Sequence, residues 1–163
     1  MSVLDSPRLR GRPVAPGDAP VLAVLFGEPA TLRWSADGAR PWDAARARAG
    51  AEAHAAHWAA HRFGLRLWED AAGPAVLAGL QFCVIDGRAE IEASFAAFPD
   101  RRRKGLAGEA MAAVVAEAPQ IAREVAAVVR EGNRPALALL ARLGFREVRA
   151  ARGARLLRLG VPA

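Results

Sequence analysis

The sequence contains no tyrosine, one cysteine and two methionines, and its aromatic residues amount to 6% of 163. The lone Cys83 excludes an internal disulfide and makes a reducing cytoplasm the expected setting. No apolar run reaches membrane-spanning length, because Arg, Asp or Glu interrupts most of them, so no membrane partner is expected. Met1 to Arg12 lacks the apolar stretch of an export signal. Two nucleotide signatures are also missing. Without a G-x-x-x-x-G-K-[ST] loop, nucleotide hydrolysis has no support. Without a G-x-G-x-x-G after a strand, neither has a dinucleotide fold. Hydrophobic residues make up 53% of the chain, which argues against disorder, and the length suits one domain, 1–163, with a sizeable core.

Charge is the first positive signal. Residues 1–100 carry 10 Arg and 12 acids, a balance of −2, whereas residues 101–163 carry 13 basic residues and 5 acids, a balance of +8. The change falls at Asp100-Arg101-Arg102-Arg103-Lys104-Gly105-Leu106-Ala107-Gly108-Glu109-Ala110. Four cations stand at a turn of small residues, and a helix-forming run follows. Free backbone N–H groups at a helix start, unobstructed by bulky side chains and flanked by Arg and Lys, form an anion site, with phosphate the favoured anion. The basic C-terminal portion could alternatively serve a nucleic acid. That reading is disfavoured, because aromatic residues do not interleave with the cations as a stacking platform requires.

The pattern elsewhere alternates helix and strand. Arg8 to Val14 reads as a strand, Asp18 caps a short helix to Phe26, and residues 35–40 read as a loop. Pro41 opens a long helix to His61 that Gly64 stops. Three strands follow at 64–69, 76–84 and 89–98, with Asp86-Gly87 as the tight turn between the last two. In the third, Glu90, Glu92 and Ser94 alternate with Ile91, Ala93 and Phe95 and so share one face. A helix over 105–118 buries Met111, Val114, Val115 and Ala118. Then come a strand at 124–129, a helix from Asn133-Arg134-Pro135 to Leu143, and a hairpin of 146–150 with 154–160. The expected class is α/β: a mixed sheet covered by helices.

Arg102-x-x-Gly105-x-Ala107 resembles the Q/R-x-x-G-x-G/A motif of the GNAT acetyltransferases. Lys104 to Ala110 resembles the GKGLATEA segment of their RimJ/RimL-type branch. Asn133-Arg134-Pro135-Ala136 with Leu143-Gly144-Phe145, the opening Pro7 to Arg10 with Arg12-Pro13 and Asp18, and Glu92-Ala93-Ser94-Phe95 resemble further elements of that branch, in order. The resemblance implies a central, mostly antiparallel sheet of six to seven strands. Its fourth and fifth strands, Ala89–Phe98 and Glu124–Val129, splay into a V that holds acetyl-CoA. It places pantetheine along Ala96, Ala97 and Phe98. It places the pyrophosphate on Arg102, Arg103, Lys104, Gly105, Leu106, Ala107 and Gly108, and a cofactor contact at Asn133, which is equally an N-cap. The activity implied is transfer of acetyl to a primary amine of a small molecule, amino acid or peptide N-terminus. A homodimer is a common assembly in the family, and no metal is implied.

Catalysis needs a group to take the amine proton, and Glu92 is the best placed, with Ser94 beside it to hold water or substrate. Glu90 shares that face and is assigned to the substrate. His54, His57 and His61 share one face of the long helix and lack the Glu of a zinc motif; the resemblance implies that this helix borders the acceptor pocket, with His57 foremost. Trp34 is the aromatic assigned to the acceptor. Cys83 reads as a small buried residue. Two departures stand out: the tyrosine that often protonates the leaving thiolate is absent, and Ala136 replaces the serine often found three residues after the asparagine. An acyl-CoA-binding module of weak or no activity is therefore the alternative to an enzyme.

Overall fold

The computed structural model describes residues 3–35, 38 and 40–162. Its centre is one eight-stranded sheet, ordered β1-β2-β3-β4-β5-β6-β8-β7. The strands are β1 Leu4–Asp5, β2 Arg10–Pro13, β3 Leu65–Asp70, β4 Gly73–Ile85, β5 Arg88–Ala97, β6 Glu124–Arg130, β7 Arg146–Ala151 and β8 Ala154–Gly160. The helices are α1 Ala19–Gly27, α2 Pro29–Leu32, α3 Ala44–His61, α4 Leu106–Glu117 and α5 Arg134–Arg142. None of the described helices is long and apolar enough to cross a membrane.

This is the mixed, mostly antiparallel sheet expected from the sequence, with an eighth strand added by the two-residue pairing of Leu4–Asp5 with β2. Two further differences are local. The one-turn α2 has no counterpart in the sequence reading, because four residues are too few to display a period. The long helix starts at Ala44, where the Asp43 carboxylate accepts from the Arg46 N–H at 2.8 Å, so Pro41 lies outside it. It ends on Arg62 in the left-handed region, φ 65°, rather than at Gly64. The loop expected at 35–40 falls partly on Ala36, Asp37 and Ala39, which lie outside the described residues.

Asp86 and Gly87 both take positive φ, 50° and 77°, as a two-residue hairpin demands. They fix a long register, from Val76↔Ala97 to Ile85↔Arg88. That register places Leu77, Gln81, Glu92, Ser94 and Ala96 on one face of the sheet. Leu65, Leu67 and Leu77 pack there with Leu22 and Leu25 of α1 and Ala51 of α3. On the other face Val76, Ala78, Leu80 and Ala93 pack with Met111 and Val114 of α4 and Leu140 of α5. Each large side chain so buried contributes about 1.5–3 kcal/mol. α4 is also tied to β3 by the Arg66 guanidinium, 1% exposed, which donates to both Glu117 oxygens at 2.6 and 2.9 Å. A cation so deep requires such a partner.

The sparsest pairing in the sheet is that of β5 with β6. β5 and β6 are parallel and joined at one position, Glu92↔Ala126. Beyond it toward their C-terminal ends the strands diverge, and the β5 backbone that faces β6 has no strand partner there among the described residues. At the N-terminal side Arg158 of β8 donates to both Glu90 oxygens at 2.6 and 3.0 Å and to Glu124 at 2.7 Å. These bonds clasp the closed end of the V.

Candidate active site

A cavity of about 890 Å³ occupies the V. It runs between the two strands, so its walls come from both faces of the sheet. Phe26, Trp42, His54, Leu77, Gln81, Glu92 and Ser94 line it on the α1–α3 side. The start of α4, Asn133 and α5 line it on the other.

The turn before α4 leaves backbone donors open to the cavity. Gly105 is the N-cap at φ 73° and offers no side chain to cap the helix. Among the described residues nothing accepts from the N–H groups of Leu106, Ala107 and Gly108; the first helical bond is Glu109 N–H to the Gly105 carbonyl, 3.1 Å. Helix ends normally find partners for such groups, and an uncapped N-terminus on a cavity wall presents them, with the positive end of the helix dipole, to a ligand. The turn is held from behind. Glu109 accepts from the Ser6 hydroxyl at 2.6 Å and from the Arg8 N–H and Nε at 2.6 and 2.7 Å, while an Arg8 guanidinium N–H reaches the Lys104 carbonyl at 3.0 Å.

The four cations divide. Arg101 is buried, donating to the Gly73 carbonyl at 3.1 Å and paired with Asp70. Arg102 lines the cavity and bonds Glu28 at 3.1 Å and the Thr31 hydroxyl at 2.9 Å. Arg103 lines the cavity at φ 61° and makes no hydrogen bond or ion pair among the described residues. Lys104 is exposed outside the cavity lining, its ammonium donating to the Asp100 carbonyl at 3.2 Å. Gly105, Leu106, Ala107, Gly108, Ala96 and Ala97 all line the cavity. Phe98 does not. Its ring is in the core, 5% exposed, and its N–H donates to the Ala75 carbonyl at 2.9 Å, so it is not free to polarise a ligand carbonyl. Asn133 lines the cavity and caps α5, its side chain accepting from the Ala136 N–H at 3.3 Å.

Glu92 and Ser94 stand side by side on the floor of the α1–α3 half, where Gln81 donates to the Ser94 hydroxyl at 3.2 Å. Burial raises Glu92 above the ordinary carboxylate range, and the Cys83 thiol and the Val128 N–H draw it back only in part. Cys83 is pushed up to about 11 by burial and by the Glu92 and Glu90 charges, so it stays a thiol and is no nucleophile. Glu90 shares the strand face but lies outside the cavity; its bonds to Arg158 hold it below the usual carboxylate range. Trp34 lines the cavity at the rim, beside Gly132, where Arg130 Nε donates to the Ser35 carbonyl at 2.9 Å.

The histidines separate too. His57, foremost in the sequence reading, lies outside the cavity lining. The Phe82 N–H can only donate, so His57 Nε2 accepts at 3.1 Å; the Phe63 carbonyl can only accept, so Nδ1 donates at 2.8 Å. The ring is thereby fixed as a neutral tautomer among His61, Phe63 and Phe82. His54 faces the cavity instead. No three His, Cys, Asp or Glu side chains converge as metal ligands among the described residues. Sequence reasoning passed over Gln81, the one polar side chain in the run Val76 to Val84, which is the signal that could have found it.

Burial lowers the pKa of His57, as does the neighbouring His61, against the opposing pull of the Phe63 carbonyl. The unfolded chain then binds a proton that the folded chain refuses. Stability is full above the unfolded value of about 6.5 and falls as pH drops through it. Urea midpoints measured between about pH 7.5 and 5.5 decline for the wild type and decline less for His57→Gln.

The acetyltransferase (GNAT) domain model matches residues 8–146. A GnaT-family acetyltransferase from Bordetella pertussis superposes with a TM-score of 0.78 at 27% identity, over 97% of this chain and 98% of that one. The ribosomal L7/L12 alpha-N-protein acetyltransferase RimL, solved with coenzyme A, has a TM-score of 0.79 at 12% identity over 98% of each chain. An acetyltransferase from Salmonella typhimurium, solved with acetyl-CoA, has a TM-score of 0.73 at 18% identity, covering 96% of this chain and 95% of that chain. No curated protein matches in sequence.

Proposed function

Because the chain belongs to the acetyltransferase (GNAT) family, we propose that it acts as a single domain that takes acetyl-CoA and transfers its acetyl group to a primary amine. The observation that carries this reading is the uncapped start of α4. Three free amides, a left-handed glycine and the unpaired Arg103 face a cavity that opens between diverging strands. A pyrophosphate suits that charge and geometry, and the open β5 edge at Ala96 and Ala97 suits an extended pantetheine. The thioester then lies near Glu92 and Ser94, at the passage to the α1–α3 side, where the amine enters.

The residues supply orientation and proton acceptance. Glu92, its pKa raised by burial above the ordinary carboxylate range, faces the incoming amine and takes a proton from nitrogen. With no tyrosine in the chain, the departing thiolate receives its proton from water.

Acetyl-CoA raises the melting temperature saturably, by the equivalent of about 2.7 kcal/mol at a hundredfold excess over Kd, whereas the acetylated pantetheine fragment without phosphates has little effect. Release of CoA is then followed with 2-phenylethylamine, spermidine, L-methionine and tetra-alanine. Turnover above that of Glu92→Gln supports the enzyme. Saturable binding without turnover supports the acyl-CoA-binding module.

A further inference from the structure

We infer that His54 is a second catalytic residue, taking from the α3 wall the proton that the acceptor ammonium must lose before nitrogen can attack. The inference rests on the amine-acetylation reading above.

An amine sheds two protons on its way to an amide. It arrives as an ammonium ion, whose N–H bond must break to free the lone pair. That lone pair forms the C–N bond at the thioester carbonyl carbon as the C–S bond breaks. A second proton then leaves nitrogen, and the CoA thiolate takes one up. One proton therefore goes to solvent for each turnover. Glu92 serves the later loss, next to the thioester. The earlier one needs a neutral base on the side from which the amine comes, with a route to water.

His54 meets those terms. It lines the cavity from the helix that covers the Glu92 face of the sheet, one turn beyond the buried Ala51. It is half-buried, so one edge remains open to solvent. Both its ring nitrogens are without a hydrogen bond among the described residues, in contrast to His57, whose two nitrogens are engaged with backbone groups. With no protein partner among the described residues, those nitrogens are open to the cavity and to solvent. Burial, aided by His57, lowers its pKa, so the imidazole is neutral at pH 7 and able to accept. The charged groups on the other cavity walls are Glu92 from β5, Arg101 to Arg103 before α4, Arg130 from β6 and Arg142 from α5. On its own helix the titratable neighbour is His57.

The test uses the full chain, acetyl-CoA and whichever of the four probe amines the wild type turns over fastest. His54→Gln is expected to lower kcat/KM for the amine by about 100-fold, within the range of general-base contributions, with acetyl-CoA affinity and melting temperature unchanged. The acid limb of its pH profile moves to lower pH, and added imidazole restores part of the rate of His54→Ala. A His54→Gln profile that superimposes on the wild type overturns the inference. So does a loss of rate that follows a matching loss of acetyl-CoA binding. Either result leaves the amine reading intact, whereas a wild type that binds acetyl-CoA and turns over none of the amines removes both.

Discussion

Replacing Glu92 with glutamine lowers the rate of acetyl transfer by roughly 10²–10³-fold, the span general-base removal commonly gives, and leaves acetyl-CoA affinity essentially unchanged. The substitution keeps the size of the side chain. Its amide oxygen still accepts from the Val128 N–H, one of the two donors that hold the carboxylate in place. What it loses is the ability to take a proton and the negative charge opposite the incoming ammonium. The affected step lies on the α1–α3 side of the V, while the turn proposed to hold the phosphates is at the start of α4, so binding and turnover separate. In the wild type the acid fall-off of kcat/KM includes Glu92, whose ionisation burial moves upward from the ordinary carboxylate range. The measurement is a paired one: calorimetric acetyl-CoA affinity and steady-state rate on the same preparations. An unaltered rate assigns the proton to another group and removes Glu92 from the chemistry.

Arg103→Glu weakens acetyl-CoA binding by about 10- to 150-fold, the equivalent of one charge-assisted hydrogen bond of roughly 1.5–3 kcal/mol. Arg103 is the cation of the turn that lines the cavity and makes no bond among the described residues. Its neighbour provides the control. Lys104→Glu changes the same formal charge one residue away, but Lys104 lies outside the cavity lining and holds the Asp100 carbonyl. Its effect is that of a screened surface charge, a fewfold at low salt and less at high salt. Equal effects at the two positions would mean a general electrostatic attraction and no seated phosphate. No effect at Arg103 would take the turn out of the site.

Much of this site was legible because its chemistry is local. A glycine that can turn left-handed, small residues after it and cations before it are adjacent in sequence, and helix N-termini work through adjacent amides. Strand alternation put Glu92 and Ser94 on one face without knowledge of what lay across from them. The same alternation put Glu90 on that face as well, and helical spacing gave three histidines one face. Periodicity states which residues share a side, but not which of them finds a partner.

The order of most strands and helices, the hairpin at Asp86-Gly87 and the glycine turn before α4 were thus determined by the sequence itself, through backbone preferences and short-range pattern. The tertiary structure decided how the candidates were allotted. Arg158, 68 residues away, takes Glu90, and Asp70, 31 residues away, takes Arg101. The β4 edge takes His57 and leaves His54 to the cavity. The physical reason is range. Hydrogen bonds and burial act over a few ångströms, and which distant side chains come that close is set by the sheet order and by where β5 and β6 part.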